Sequence, residues 1–142
     1  MPLLPARVKY RKQHTRGHRL DHVATAGNTL AFGDFGIQVI ESGAITARQL
    51  EAARLTAAHY LGRSGKMWTR VFPHTPVTKH PAETRMGSGK GEVNYWASFV
   101  DAGTVIFEFA GVTEEMARET MRRQAFKLAL KARMIKRTGN VG

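Results

Sequence analysis

The residues best placed to do chemistry lie in Arg85-Met86-Gly87-Ser88-Gly89-Lys90-Gly91, where three glycines alternate between two basic residues. Glycine has no Cβ, so such a backbone can come close to a ligand, and the flanking Arg and Lys suit phosphate oxygens. Two nucleotide-binding patterns come near this stretch and both fail. The phosphate loop of the NTPases needs Gly, four residues, a Gly-Lys pair and then a hydroxyl residue, but Thr84 and Gly91 hold the outer places. The dinucleotide fingerprint fails because Gly87, Gly89 and Gly91 are spaced two and two, with no helix signal behind them. A loop that meets an RNA backbone is the first reading, a plain surface turn the second, and a small phosphate-ligand-binding enzyme using Gly87 to Gly91 and Lys90 stays as the alternative from another class.

Other constellations point to less. His14, His18 and His22 recur every fourth residue beside Asp21, and on a helix they would stack as metal ligands. Gly17 interrupts them, no cap introduces a helix, and Arg16 and Arg19 would repel a dication, so the expectation is no metal site. Asp34-Phe35-Gly36 matches the kinase metal-binding triplet in letters only and reads as a structural turn. General acid–base chemistry would want a carboxylate pair or a poised His, and none is marked; Glu83 beside Arg85 reads as an ion pair that shapes the loop. With 0 Cys there is no thiolate nucleophile, disulfide framework or cysteine zinc site. The expectation is a protein that is not an enzyme and carries no cofactor.

Charge supplies the direction. Lys and Arg number 22 against 11 Asp and Glu, a formal net charge of +11 with a pI near 10.7, as suits a protein that lives against phosphate. Arg7, Lys9, Arg11, Lys12, Arg16 and Arg19 precede the first acid, Asp21. After Glu119 come Arg122, Arg123, Lys127, Lys131, Arg133, Lys136 and Arg137 with no acid among them. Both ends thus read as cationic arms, and the acids fall in the middle of the chain, where they mix with bases as on an ordinary globular surface. No apolar run approaches the roughly 18 residues needed to span a bilayer. Met1-Pro2-Leu3-Leu4-Pro5 is too short and too broken by proline for a signal peptide, so neither a membrane partner nor secretion by that route is expected.

The elements that must position these residues follow from periodicity. At 142 residues the chain suits one domain: an arm over 1–29, an α+β domain over 30–137 with the glycine-rich loop at 81–92, and a tail over 138–142. Leu30–Phe32 and Ile37–Ile40 read as strands. Thr46 and Gln49 have capping-box spacing ahead of a helix with Leu50, Ala53, Ala57 and Leu61 on one face and Gly62 as its stop. Lys66–Phe72 alternates as a strand, and Pro73, Pro76 and Pro81 punctuate a connection into the glycine loop. Asn94–Val100, the turn Asp101-Ala102-Gly103 and Thr104–Phe109 read as a hairpin. Thr113 caps a second helix with Glu114 and Glu115 in its first turn, Ala117, Met121, Ala125 and Leu128 inward, and Arg118, Arg122 and Lys127 outward. Ala132–Lys136 closes the set as a strand. The expected fold is an antiparallel sheet with two helices packed on it. Trp68, Phe72, Tyr95, Trp96, Phe99, Phe107 and Phe109 are assigned to strands, with core packing as their default role.

These motifs, in this order, resemble the universal family of large-subunit ribosomal protein number sixteen, in its bacterial form. The resemblance covers nearly the whole chain. It rests on Arg7-Val8-Lys9-Tyr10-Arg11-Lys12 with His14, on Phe32-Gly33 and Phe35-Gly36, on Ile45-Thr46 and Arg48-Gln49, and on Glu51-Ala52-Ala53-Arg54. It continues through Gly65-Lys66, Trp68, Arg70, Phe72-Pro73, Pro76, Thr78, Pro81, Arg85-Met86-Gly87, Gly89-Lys90-Gly91 and Tyr95-Trp96. It implies a positioning protein that binds large-subunit ribosomal RNA beside the aminoacyl and peptidyl tRNA sites, near a peptidyl transferase centre whose chemistry belongs to RNA. It also implies late joining of the particle, neighbouring large-subunit proteins as partners, no self-association, and a ribosome of a bacterial cytoplasm or an organelle matrix. The RNA-binding candidates are then Arg7, Lys9, Tyr10, Arg11, Lys12, His14, Arg16, Arg48, Arg70, Arg122, Lys127 and Lys131, and Arg85, Met86, Gly87, Ser88, Gly89, Lys90 and Gly91 form a tRNA-proximal loop. The chain departs from the family's habit at Leu20–Asn28, where Asp21, His22, Val23 and Ala24 replace basic and Gly-rich sequence, and at Ala129, where Pro is usual.

Overall fold

A computed structural model describes residues 4–13, 23–80, 85–87 and 89–137. The elements run β1 (Phe35–Val39), β2 (Gly43–Thr46), α1 (Ala47–Leu61), β3 (Lys66–Thr69), β4 (Thr75–Lys79), β5 (Glu92–Val100), β6 (Val105–Ala110), α2 (Glu114–Ala125) and β7 (Ala132–Lys136). This is the α+β class expected, with two helices on antiparallel strands, but the strands divide into two sheets. One has the order β3-β6-β1-β7 and the other β2-β5-β4.

The division corrects the expected hairpin. β5 and β6 are both present, yet they do not pair: β5 lies between β2 and β4, and β6 between β1 and β3. Asp101–Thr104 is a corner between sheets. Gly103 turns there at φ 99° and donates its N–H to Val39 O at 2.7 Å, while Val39 N–H donates to Thr104 O at 3.0 Å. Both edges of β6 are already taken, so β5 has nowhere to pair with it. Alternation and turn chemistry look alike for a hairpin and for two strands leaving a corner in different sheets.

Three further expectations shift. Residues 30–32 are not a strand; the N–H groups of Ala31, Phe32 and Gly33 turn instead to the Glu108 carboxylate. Phe35 and Gly36 open β1 instead of making a turn. β3 ends at Thr69, so Phe72 lies on no strand, and β4 forms within the proline-punctuated connection. Pro76 is tolerated there because β4 is an edge strand, where one face of the ladder needs no N–H.

The helices follow their caps. Thr46 Oγ1 accepts from Gln49 N at 3.2 Å and Gln49 Oε1 accepts from Thr46 N at 3.0 Å, a closed capping box at the start of α1. Gly62 ends α1 at φ 59°, a conformation costly for residues with a Cβ. Thr113 Oγ1 accepts from Met116 N at 3.3 Å, and Glu114 and Glu115 lie in the positive first turn of α2. Helix α2 stops at Ala125, ahead of Ala129. Its inner face is Ala117, Thr120, Met121 and Gln124; Ala125 is exposed, because 100° per residue carries it off the stripe. Gln124 instead reaches across to α1 and donates from Nε2 to Ala53 O at 3.1 Å.

Between helices and sheets lies one core of Ile37, Val39, Ile45, Leu50, Ala53, Ala57, Leu61, Val100, Ile106, Phe107, Phe109, Ala117, Met121 and Leu128. Residues 23–28, assigned to the arm by sequence, are fastened to the domain. Ala24 N–H donates to Ala102 O at 2.8 Å and Val105 N–H donates to Gly27 O at 2.9 Å, so the departure from basic sequence there coincides with a structural task.

Candidate nucleic-acid interface

The described part of the arm, residues 4–13, has no regular structure, and Arg7, Lys9, Tyr10, Arg11 and Lys12 are all exposed. A stretch so basic and so poor in apolar residues has too little surface to bury for a fold of its own. Lys9 Nζ lies 5.5 Å from the Tyr10 ring centroid. His14, Arg16, His18 and His22 fall outside the described residues, as do Glu83 and Ser88. Among the described residues no group of three or more His, Cys, Asp or Glu could hold a metal ion.

The glycine loop connects β4 to β5, and its three glycines differ in kind. Gly87 and Gly89 have φ of 95° and 84°, and a Cβ on either would meet nothing within 4 Å. They set the path of the chain and leave its backbone open to a ligand. Gly91 is buried, and a Cβ there would lie 2.8 Å from both C and O of Lys79 and 3.1 Å from His80 N. It is where the base of the loop closes against β4. Arg85, Met86 and Lys90 are exposed. Beneath the loop an open cleft of about 560 Å³ is lined by Lys79, His80, Lys90, Glu92 and Asn94.

Arm and loop, two separate candidates in the sequence, meet in space. Lys12 Nζ donates to Lys90 O at 3.0 Å, and Lys90 Nζ donates to Gln13 O at 2.5 Å. Each lysine is held by the other segment's backbone, and the acceptor in both contacts is a carbonyl, not a carboxylate, so neither ammonium charge is neutralised by its partner there. Arg48, exposed in the first turn of α1, borders a groove with Leu4 of the arm and Asn94, Tyr95 and Trp96 of β5.

The remaining candidates lie elsewhere. Arg70 points inward: its NH1 donates to Glu108 Oε2 at 2.6 Å, and its guanidinium lies 5.2 Å from the Phe32 ring, which stacks on Trp68. Arg122 is exposed on α2, and Lys127 and Lys131 are exposed just beyond it. α2 packs on α1, β1 and β7, whereas the loop springs from the other sheet. These bases therefore sit on elements other than those that carry the loop.

Sequence reasoning passed over Glu108. It is fully buried in β6, and its Oε1 accepts from the N–H groups of Ala31, Phe32 and Gly33 at 2.8, 3.0 and 3.1 Å. Burial pushes its carboxyl up, but hydrogen bonds from Arg70 and these three amides outweigh that and hold it below the ordinary carboxylate range. Its oxygens are committed to structure. The available signal was an acid inside the otherwise apolar run Val105–Ala110.

A small α+β domain with exposed cations on its arm, loop and second helix, and with its buried acid locked by amides and an arginine, has the charge layout of a structural RNA-binding protein. The sequence profile of the family described as ribosomal protein L16p/L10e matches residues 5–135. The large ribosomal subunit protein uL16 of Cutibacterium acnes is 52% identical over 137 residues, covering 96% of this chain and 97% of the relative. The chain belongs to the ribosomal protein L16p/L10e family, in its bacterial form. It is accordingly a structural, RNA-binding component of the large ribosomal subunit in translation and not an enzyme.

Proposed function

We propose that the N-terminal arm and the glycine loop act as one cationic surface on large-subunit ribosomal RNA, with Arg85–Gly91 directed at tRNA in the aminoacyl and peptidyl sites near the peptidyl transferase centre. The observation that carries this reading is the exchange of contacts between Lys12 and Lys90, which makes arm and loop one unit. Arg7, Lys9, Arg11 and Lys12 neutralise RNA phosphates, Tyr10 offers a ring for stacking, and Arg48 extends the surface along α1. Gly87 and Gly89 leave the loop backbone open for close approach. The family resemblance supports the orientation toward tRNA, late joining of the subunit and work as a single copy among neighbouring large-subunit proteins.

The test is a salt titration of binding to large-subunit ribosomal RNA. Lys12→Met and Lys90→Met should each flatten the log–log slope by about one unit, since each removes about one phosphate contact. The double variant should lose less affinity than the sum of the singles, because either change opens the shared junction. Strict additivity would show that arm and loop act apart. Failure of the protein to travel with large subunits through a high-salt gradient would sink the reading as a whole.

A further inference from the structure

The outer face of α2, with Tyr60 of α1 beside it, carries an aromatic and cationic strip that the arm and loop do not use. Glu119 stands at its centre. Its Oε1 accepts from Arg122 NH2 at 2.8 Å and from Arg123 Nε at 2.9 Å, and its Oε2 accepts from Arg122 Nε at 3.0 Å. Each arginine so oriented also lies on a ring: the Arg123 guanidinium is 4.1 Å from the Tyr60 centroid and that of Arg122 is 5.6 Å from Phe126. The order along the strip is Tyr60, Arg123, Glu119, Arg122, Phe126. Tyr60 packs partly against the core. Phe126 does not: it caps the C-terminus of α2 and is 74% exposed.

What distinguishes Phe126 from the other exposed apolar side chains outside the arm is the cation held over its ring within a cluster of exposed bases, which sets the chemistry that could cover it. Arg122, Arg123 and Lys127 are all exposed around it. On its other side Arg122 shares the rim of a groove of about 250 Å³ with Arg118 and Arg133. An apolar protein pocket closing on Phe126 would have to desolvate several of these charges. An unpaired nucleotide fits them: its base covers the ring, and its flanking phosphates meet the guanidinium and ammonium groups. Among the described residues, Glu119 occupies Nε and one terminal nitrogen of Arg122, which leaves the second terminal nitrogen for a phosphate oxygen.

We infer that Phe126 is a base-stacking residue of a second RNA contact on α2, flanked by Arg122 and Lys127 on phosphates, with Glu119 as the positioning residue. This rests on the reading that the protein binds ribosomal RNA, and it adds a contact outside the arm and loop. The full chain and large-subunit ribosomal RNA suffice to test it. Phe126→Leu should weaken binding about ten-fold with an unchanged salt slope, because a stacked base releases no counterions. Arg122→Gln should instead flatten the slope by about one unit. Phe126→Trp should restore affinity, and its added fluorescence should be quenched by RNA. Wild-type affinity in a folded Phe126→Leu protein, or an unquenched tryptophan at that site, would overturn the inference while leaving arm and loop binding intact. Failure of the unaltered protein to bind RNA would instead bring down the proposed function. In assembled subunits, p-benzoylphenylalanine placed at position 126 should crosslink to RNA; a crosslink to protein would assign this face to a protein neighbour and overturn the inference.

Discussion

Glu108 illustrates how one side chain organises a surface from within. Three consecutive amides, from Ala31 to Gly33, have no strand partner and end on a single carboxylate oxygen, while Arg70 neutralises the other. Removing one member of such a group leaves its partners buried and unpaired, a cost of roughly 3–5 kcal/mol. Glu108→Gln should lower stability by about that amount at neutral pH, measured by urea unfolding. The pH dependence has a definite sign. The folded carboxyl titrates below its ordinary value of 4.5, so its stabilisation is complete above that value and is lost as pH falls through the lowered one. The gap in stability between the parent and Glu108→Gln should therefore stay constant above about pH 5 and narrow on further acidification. A gap that stays unchanged as pH falls below 4.5 would mean that the carboxylate charge is not what the amides and Arg70 require.

At the scale of elements the loop glycines divide into two classes that the sequence presents as one. Gly91 closes the loop against β4, so Gly91→Ala drives a Cβ into the Lys79 carbonyl and should lower the melting temperature by several degrees. Gly89→Ala meets open space, and its cost is confined to a positive φ, of order 1–3 kcal/mol within the loop. Its circular dichroism should match the parent while its RNA affinity falls. Loss of fold in Gly89→Ala, or an unchanged melt in Gly91→Ala, would reverse this assignment. The equal spacing of Gly87, Gly89 and Gly91 carries no trace of the difference, because the strand that Gly91 touches was read as part of a connection. The same pairing information was missing for β5 and β6, whose pattern suits a hairpin and whose partners lie in separate sheets.

Over the whole molecule, net charge sets the strength of RNA association and local engagement decides which charges contribute. Arg11 is exposed on the arm, and Arg11→Gln should flatten the salt slope by about one unit. Arg70 is committed to Glu108 and to the ring of Phe32, so Arg70→Met should destabilise the fold and leave the slope unchanged. Equal slopes for the two variants would contradict this division of labour. A count of +11 cannot distinguish the two arginines; burial and partners can.

Local rules made much of the protein legible in its residues. Both helices start where hydroxyl caps precede an amphipathic run, β7 covers the stretch read as a final strand, and cationic ends without a catalytic constellation pointed to RNA, because caps, periodicity and charge are properties of neighbouring residues. The tertiary structure decided what depends on distant pairs. It split the strands into two sheets, sealed Glu108 with amides more than 70 positions away, joined Lys12 to Lys90 across 78 positions, and left Phe126 in solvent beside an arginine. Such contacts depend on which surfaces folding brings together, and one-dimensional spacing holds no record of that.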